Sequence, residues 1–263
     1  MVSAHFFASE VIGDMKKSGT LSSRLITVVT DYRLHSWWVA PCTDTYVVSN
    51  EDAKADLVGW GIPADIVKVM GIPVEPVFSR KLDRSAMRDK VGLDKDVFTV
   101  LVIGGGFGVG PIEEIVKEMG FVSGAVQAIV KCGHNKTLQD KIADIAGSMK
   151  IKVKVLGFVD NVYEYMSASD ILISKSGGIT VSESLAKELP MIVIAPIPGQ
   201  ETRNSDFLIR HNAAIKIRSA DELSSVVSGL VAHPEKMDSM KASIRAIKKP
   251  TACFDIADLA VAD

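Results

Sequence analysis

Cysteine is scarce in this chain of 263 residues: Cys42, Cys132 and Cys253 are odd in number, far apart and in no C-x-x-C or Cys/His cluster. That spacing argues against a disulfide framework and a structural zinc site, and it suits a reducing cytoplasm. Long apolar runs are missing too. The longest, Phe98 to Ile103 and Met191 to Ile197, are strand-sized, well short of the roughly 18–20 residues that span a bilayer. No basic stretch precedes an apolar one at the start, so a secretory signal is not expected there. Nor is one sign of charge in excess. The formal net charge is −2, and no arginine-rich, aromatic-interleaved stretch offers a surface to nucleic acid. Basic residues outnumber acidic ones locally, from Lys236 to Lys249 on an expected helix; this segment is either a contact for anionic lipid or an ordinary solvated face.

What the chain does have is apolar content, 47% of its residues, enough for a sizeable core. From Phe98 onward short β-rich apolar runs near 98–103, 126–131, 151–156, 170–173, 190–195 and 213–217 alternate with amphipathic stretches of helical length. The pattern predicts a doubly wound parallel sheet. The front part is also α/β, with the end of a strand at Ser3-Ala4-His5, a helix to about Lys17, strands at Arg24–Thr30 and Thr45–Ser49, a helix from Glu51 and a strand near Val67–Met70. These strands are too few for a full doubly wound domain. The prolines at 73 and 76 mark a connection, so the expected division is 1–76, a linker at 77–94, and 95–263 with C-terminal helices.

In such a sheet ligands bind beyond the carboxyl ends of the strands. Two sequence features fall at such ends: Ser174-Lys175-Ser176-Gly177-Gly178-Ile179-Thr180-Val181-Ser182-Glu183, and Pro198-Gly199-Gln200-Glu201-Thr202-Arg203-Asn204. The first reads as a buried strand, a tight glycine turn and a helix start whose free N–H groups attract diphosphate. Adjacent glycines at 177 and 178 mark either a plain turn or close approach of a ligand to the backbone. Glu183, read as three residues into the helix, has a carboxylate suited to both hydroxyls of a ribose. Thr180-x-x-Glu183 is equally the pattern of a capping box. Gln200, Glu201 and Asn204 are poor core residues and offer amide and carboxylate groups to a sugar. Together these chemistries point to a nucleotide-sugar.

The glycine run Gly104 to Gly110 also ends a strand, but Val109 stands where the dinucleotide fingerprint needs glycine. The second strand ends in Lys131-Cys132-Gly133-His134 without the acid that holds an NAD ribose, and no Lys-Ser/Thr pair follows the run. A nicotinamide enzyme and a P-loop are both disfavoured. No aspartate pair sits near the phosphate turn to carry a divalent ion, so neither metal nor other cofactor is expected.

The ordered set Val2-Ser3-Ala4-His5, Thr30-Asp31-Tyr32 with His35 and Trp38, Asp44 to Val48, Val69 to Val74, the glycine run, Leu156 to Asn161, Ser174 to Glu183, and Pro198 to Glu201 with Asn204 resembles the GT-B-type glycosyltransferases of the monogalactosyldiacylglycerol synthase and processive diacylglycerol glucosyltransferase group. These are more distantly related to the peptidoglycan-precursor N-acetylglucosaminyltransferase. The resemblance implies two Rossmann-like α/β domains, here with the N-terminal one incomplete, because nothing in the chain matches the family's opening strand and glycine-rich loop ending in histidine. Ser176 stands where many relatives carry proline.

The resemblance further implies an enzyme that moves a hexose from a UDP-sugar to a lipid alcohol, diacylglycerol first among the candidates, from the cytoplasmic face of the membrane. It implies that Gly105, Gly106 and Phe107 close over the donor diphosphate, that Phe158 and Val159 meet the uracil, and that Ser176, Gly177, Gly178 and Thr180 form the phosphate turn. Glu183 would hold the ribose, and Gln200, Glu201 and Asn204 the sugar. His5, Asp31 and His35 are the clustered candidates for acid/base work on the acceptor alcohol. Phe6, Phe7, Trp37 and Trp38 either line a lipid-facing cleft or pack as core. The alternatives are a chain that binds UDP-sugar without turnover and transfer of N-acetylglucosamine to a lipid-linked cell-wall precursor.

Overall fold

The computed structural model describes residues 1–104 and 110–262. The front part lays four parallel strands side by side in chain order. It runs β1 (Val2–Ser3), α1 (Phe6–Lys17), β2 (Ile26–Val28), β3 (Thr45–Val48), α2 (Glu51–Gly59) and β4 (Val67–Val69). Helix starts follow local chemistry: the Nδ1 of His5 accepts the Phe7 N–H at 3.2 Å at the head of α1, and Asn50 Oδ1 accepts the Ala53 N–H at 2.9 Å at the head of α2.

Between the halves, α3 (Arg84–Val91) occupies the segment that reads from sequence as a linker. Asp83 caps it and Gly92, at φ 73°, closes it in the left-handed conformation. Arg88 on this helix is almost fully buried, donating to the Ala168 carbonyl at 2.9 Å and to the Asp170 carboxylate at 2.5 Å. The segment is therefore packed structure rather than a free tether.

The larger half continues with β5 (Phe98–Ile103), α4 (Ile112–Met119), β6 (Val126–Lys131), α5 (Lys136–Gly147), β7 (Lys152–Leu156), α6 (Val162–Ala168), β8 (Ile171–Ser174), α7 (Gly178–Ala186), β9 (Met191–Ile194), α8 (Gln200–Arg210), β10 (Ala214–Ile217), α9 (Leu223–Ala232), α10 (Pro234–Ile247) and α11 (Ala252–Val261). All six strands are parallel, in spatial order β10-β9-β8-β5-β6-β7. Both faces of this sheet are covered. Leu101 and Ile103 of β5 point into one apolar cluster, while Val100 and Val102 point into the other, the period-2 alternation of a strand buried on both sides. Strand order reverses between β5 and β8, so a crevice opens at the carboxyl ends of those two strands.

The chain crosses back at its end. Ile256 and Leu259 of α11 pack on Ile26, Val28 and Val47 of the four-stranded sheet, and Arg24 donates to the Ala262 carbonyl at 2.9 Å. The sequence division assigns α11 to the larger half; its apolar face covers the smaller one. The two crossings run side by side, since a Cβ on Gly71 would lie 2.4 Å from the Cβ of Lys249.

The halves meet along a polar seam. Asn204, wholly buried, accepts the Tyr32 N–H at 2.9 Å and donates to the Ser176 carbonyl at 3.0 Å. The Tyr32 hydroxyl lies 2.9 Å from Ser182 Oγ, which spends its own proton on the Gly178 carbonyl at 2.8 Å. Burial raises the Tyr32 phenol above its usual range, which keeps it a donor. Arg203 reaches the Leu34 carbonyl at 3.0 Å and Arg210 pairs with Asp52 at 2.9 Å.

Gly178 is part of this seam. A Cβ there would stand 2.1 Å from the Thr30 carbonyl oxygen, whereas one on Gly177 meets nothing within 4 Å. Gly178→Ala should therefore cost about 1–3 kcal/mol by forcing the backbones apart, and Gly177→Ala less than about 1 kcal/mol. Urea unfolding of the two variants checks the order; equal stabilities would mean that the seam is not closed as described.

Candidate functional site

The crevice is walled by the ends of β5, β6, β8 and β9, and α7 opens into it. Its N-cap is Gly177, with no side chain capping the helix, so the first-turn N–H groups keep their affinity for an anion. α8 starts the same way, from Gly199 at φ 100° and without a side-chain cap. The strand end before it carries Ala195 at φ 45°, an unfavourable conformation for a residue with a Cβ and one that collects at functional loops. Lys175 stands between β8 and α7, and its side chain lies 3.9 Å from where a Cβ on Gly110 would project.

Glu183 is the sixth residue of α7, not the third, and the cap is Gly177, not Thr180. The capping-box reading of Thr180-x-x-Glu183 is thereby overturned. Among the described residues the Glu183 carboxylate makes no hydrogen bond, although it is largely withdrawn from water. Burial, with the Glu75 carboxylate acting in the same direction and Lys131 opposing, pushes its pKa up to about 7. A carboxylate in that state is short of donors, and a vicinal diol supplies two.

Around it stand groups from neighbouring strand ends. Lys131, at the end of β6, has its ammonium pKa lowered by burial, with Glu183 opposing that shift. Its Nζ sits 5.7 Å from the Phe158 ring centroid. Phe158 is 58% exposed and stacked on His134 with centroids 4.3 Å apart, so it is not a core phenylalanine. Its exposed flat face suits a planar ring. Val159 instead packs against the apolar cluster beneath. Lys131 and His134 escape a motif reading, although their place after a β-rich run is the available signal, since parallel-sheet ligands bind at such ends.

Several sequence-derived assignments need correction. Asn204 is not a sugar contact: its carboxamide is buried and committed at both ends to the seam. Gly178 lacks a side chain to admit Thr30, not a ligand. Ser176 is wholly buried, with its hydroxyl donating to the Glu201 carbonyl at 2.6 Å; it fixes α8 against the turn. Gly177 and Thr180 remain at the open helix start. One carboxylate oxygen of Glu201 accepts the Ile197 N–H at 2.7 Å and steadies the loop. Gln200 is exposed and donates to Asp31. Gly105, Gly106 and Phe107 lie outside the described residues.

On the opposite wall, Asp31 is wholly buried and accepts from Trp38 Nε1 at 2.8 Å as well as from Gln200. His35 Nε2 lies 3.8 Å from the same carboxylate. Burial lowers the His35 pKa, with Asp31 opposing and Arg203 reinforcing the fall, so its ring is neutral and able to accept a proton near pH 7. His5 reaches this group through Phe6, stacked on His5 at 4.5 Å and edge-on to His35 at 5.2 Å. Trp38 is buried, whereas Phe7 and Trp37 are 63% and 69% exposed. Among the described residues no group of three His, Cys, Asp or Glu side chains converges to hold a metal ion, and no helix is long and apolar enough to cross a membrane.

Two parallel-sheet halves in tandem, with an uncapped helix start and a largely buried carboxylate about one and a half helical turns deeper in the switch-point crevice, make a GT-B-type fold. The chain belongs to the family described as glycosyltransferase family 28 C-terminal domain, whose model matches residues 99–253; residues 1–74 match the model of monogalactosyldiacylglycerol (MGDG) synthase. A processive diacylglycerol beta-glucosyltransferase of Bacillus mycoides is 30% identical over 253 residues, covering 96% of this chain and 65% of its own length. The chain thus spans just under two thirds of that relative. Among solved structures, Acinetobacter baumannii MurG superposes with a TM-score of 0.71 at 14% identity, over 97% of this chain and 76% of that one. A Staphylococcus aureus MnaA–UDP co-structure gives 0.72 at 14%, over 98% and 73%.

The raised pKa of Glu183 has a sign that can be measured. Between the ordinary carboxylate value and about 7 the folded chain holds a proton that the unfolded chain releases, so this group's contribution to stability falls as pH rises through that window. Glu183→Gln should flatten the decline and leave the variant more stable than the parent at pH 8. A parallel pH dependence in both proteins, followed by urea unfolding, would contradict the burial of this carboxylate.

Proposed function

We propose that the chain binds a UDP-sugar in this crevice and transfers its hexose to a lipid alcohol, diacylglycerol. The observation that carries the reading is Glu183, a carboxylate largely withdrawn from water and without a hydrogen-bond donor among the described residues, on a helix whose uncapped start lies about one and a half turns away. A ribose diol supplies the donors and the diphosphate occupies the helix start. The exposed face of Phe158 takes the uracil, with Lys131 and His134 fixing the ring and its surroundings. Gln200 and the free oxygen of Glu201 face the sugar.

The chemistry follows from those positions. The acceptor oxygen attacks the anomeric carbon, the bond from that carbon to the diphosphate oxygen breaks, and UDP leaves with the electron pair. The charge growing on the leaving group is met by the α7 N–H groups, the helix dipole and the Lys175 ammonium, an electrostatic stabilisation already in place before reaction. No divalent metal is required by this arrangement. The acceptor proton passes to neutral His35, whose ring Asp31 orients from 3.8 Å. Asp31 is itself held by Gln200 from the donor half, so sugar and base sites share one link.

A lipid acceptor is supported by the apolar surface beside His35. Phe7, Val11 and Met15 recur one turn apart on α1 and are 63%, 45% and 41% exposed, with Trp37 alongside. This stripe suits a peripheral contact with the membrane that holds the acceptor. The Bacillus mycoides relative, a processive diacylglycerol beta-glucosyltransferase, supports the same reading.

Calorimetry should show UDP binding that strengthens as pH rises through about 7, because the ionised carboxylate is the better acceptor of ribose hydroxyls. Glu183→Ala should weaken it about 10- to 100-fold. Labelled UDP-glucose or UDP-galactose with diacylglycerol then reads turnover, which chelation by EDTA should leave intact. Absence of uridine-nucleotide affinity would sink the donor reading; affinity without product would make the chain a binder of nucleotide-sugar and not a transferase.

A further inference from the structure

A second concave site lies at the far end of α7. Ser79 to Leu82 from the connecting segment, the α6–β8 turn, the C-terminal end of α7 and one face of α10 enclose a cavity of about 590 Å³. Its lining carries seven cationic side chains against two acidic ones, in a chain whose net charge is −2. Most of the basic residues at the end of the sequence that suggest a solvated or lipid-facing surface turn out to line this cavity.

Structural duties account for only part of that charge. Arg245 and Lys248 share Glu188, at 2.7 and 2.8 Å. Arg84 pairs with Asp170 at 2.7 Å. Lys187 donates to the Arg80 carbonyl at 2.8 Å and ties α7 to the connecting segment. That leaves Arg80, Lys81 and Lys241, whose side chains make no hydrogen bond or ion pair among the described residues. The ammonium of Lys241 is half-buried, and its pKa is lowered first by that burial, with Arg84 and Arg245 adding to the fall and Asp170 and Asp238 opposing it. Holding unmatched cations together costs free energy unless an anion joins them.

We propose that this cavity is a second anion site, built for a phosphate-bearing ligand with more than one negative charge. Arg80 supplies a planar fork for two phosphate oxygens, and Lys81 and Lys241 supply point charges on either side. The site is separate from the crevice: Lys187 lies ten residues beyond Gly177 along α7, about 15 Å of helical rise. It is therefore independent of the reading of the crevice as a UDP-sugar site.

Free phosphates and lipid headgroups share this chemistry, and the test separates them. The intact chain, saturated with UDP to fill the crevice, is titrated calorimetrically with inorganic pyrophosphate, and its retention on phosphatidylcholine vesicles with and without phosphatidic acid is measured. The comparison is the triple variant Arg80→Gln, Lys81→Gln and Lys241→Gln, whose fold is checked by unaltered UDP affinity and thermal unfolding. We expect pyrophosphate to bind the parent and the variant to lose at least about tenfold in affinity. Loss confined to the phosphatidic acid vesicles would assign the site to a headgroup. Equal behaviour of parent and variant towards both probes would overturn the proposal. If UDP itself fails to bind, the same titration without it still compares parent with variant.

Discussion

One buried carboxamide sets the geometry on which the rest depends. Asn204 accepts from the Tyr32 backbone and donates to the Ser176 carbonyl, so it fixes the front half, the β8–α7 turn and α8 relative to one another with a single side chain. A hydrogen bond of this kind is worth only about 0.5–1.5 kcal/mol net, but an unmatched buried amide costs more. The seam is therefore specific before it is strong. Gly178 sharpens it, since backbone meets backbone where no Cβ intervenes. Once Asn204 is in place, Gln200 falls against Asp31 and both walls of the crevice are defined.

That arrangement explains which parts were legible in the sequence. The six strands of the larger half announce themselves as apolar runs because each is buried on both faces, and alternation with helices forces parallel order. Glu183 is legible as a polar residue where a helix leaves a strand end. The seam is not. Asn204 and Gln200 lie four residues apart on one helix start and look equally polar, yet one is buried in the interface and the other exposed in the crevice. The difference is made by Tyr32 and Asp31, more than 160 residues away, and no local pattern carries that information. The packed connection and the return of α11 escape for the same reason: Arg88 needs Asp170, and Ile256 needs Val28.

α7 is shared by three kinds of interaction. Its first turn lies open, its middle carries a carboxylate with a raised pKa, and its last residues hold Lys187 against the connecting segment. Ser182, on the seam-facing side, binds Tyr32. A helix placed in this way transmits position faithfully, because its ends are fixed by packing with both halves and not by its own caps.

The price of function is visible in what α7 forgoes. A serine or aspartate at position 177 would satisfy a first-turn N–H and stabilise the helix by about a few tenths of a kcal/mol, yet the chain has glycine there. A leucine or methionine at 183 would fill the same space without the cost of a desolvated carboxylate. Both omissions lie on one helix, at the switch point of one sheet, and each would be relieved by a complementary part of the proposed ligand: an anion for the helix start, a diol for the acid. Random surface variation has no reason to leave two such complementary deficits a short distance apart in a crevice. A nucleotide-sugar has the diphosphate and the ribose adjacent in its own covalent structure, and that adjacency is the simplest physical account of why the two deficits occur together.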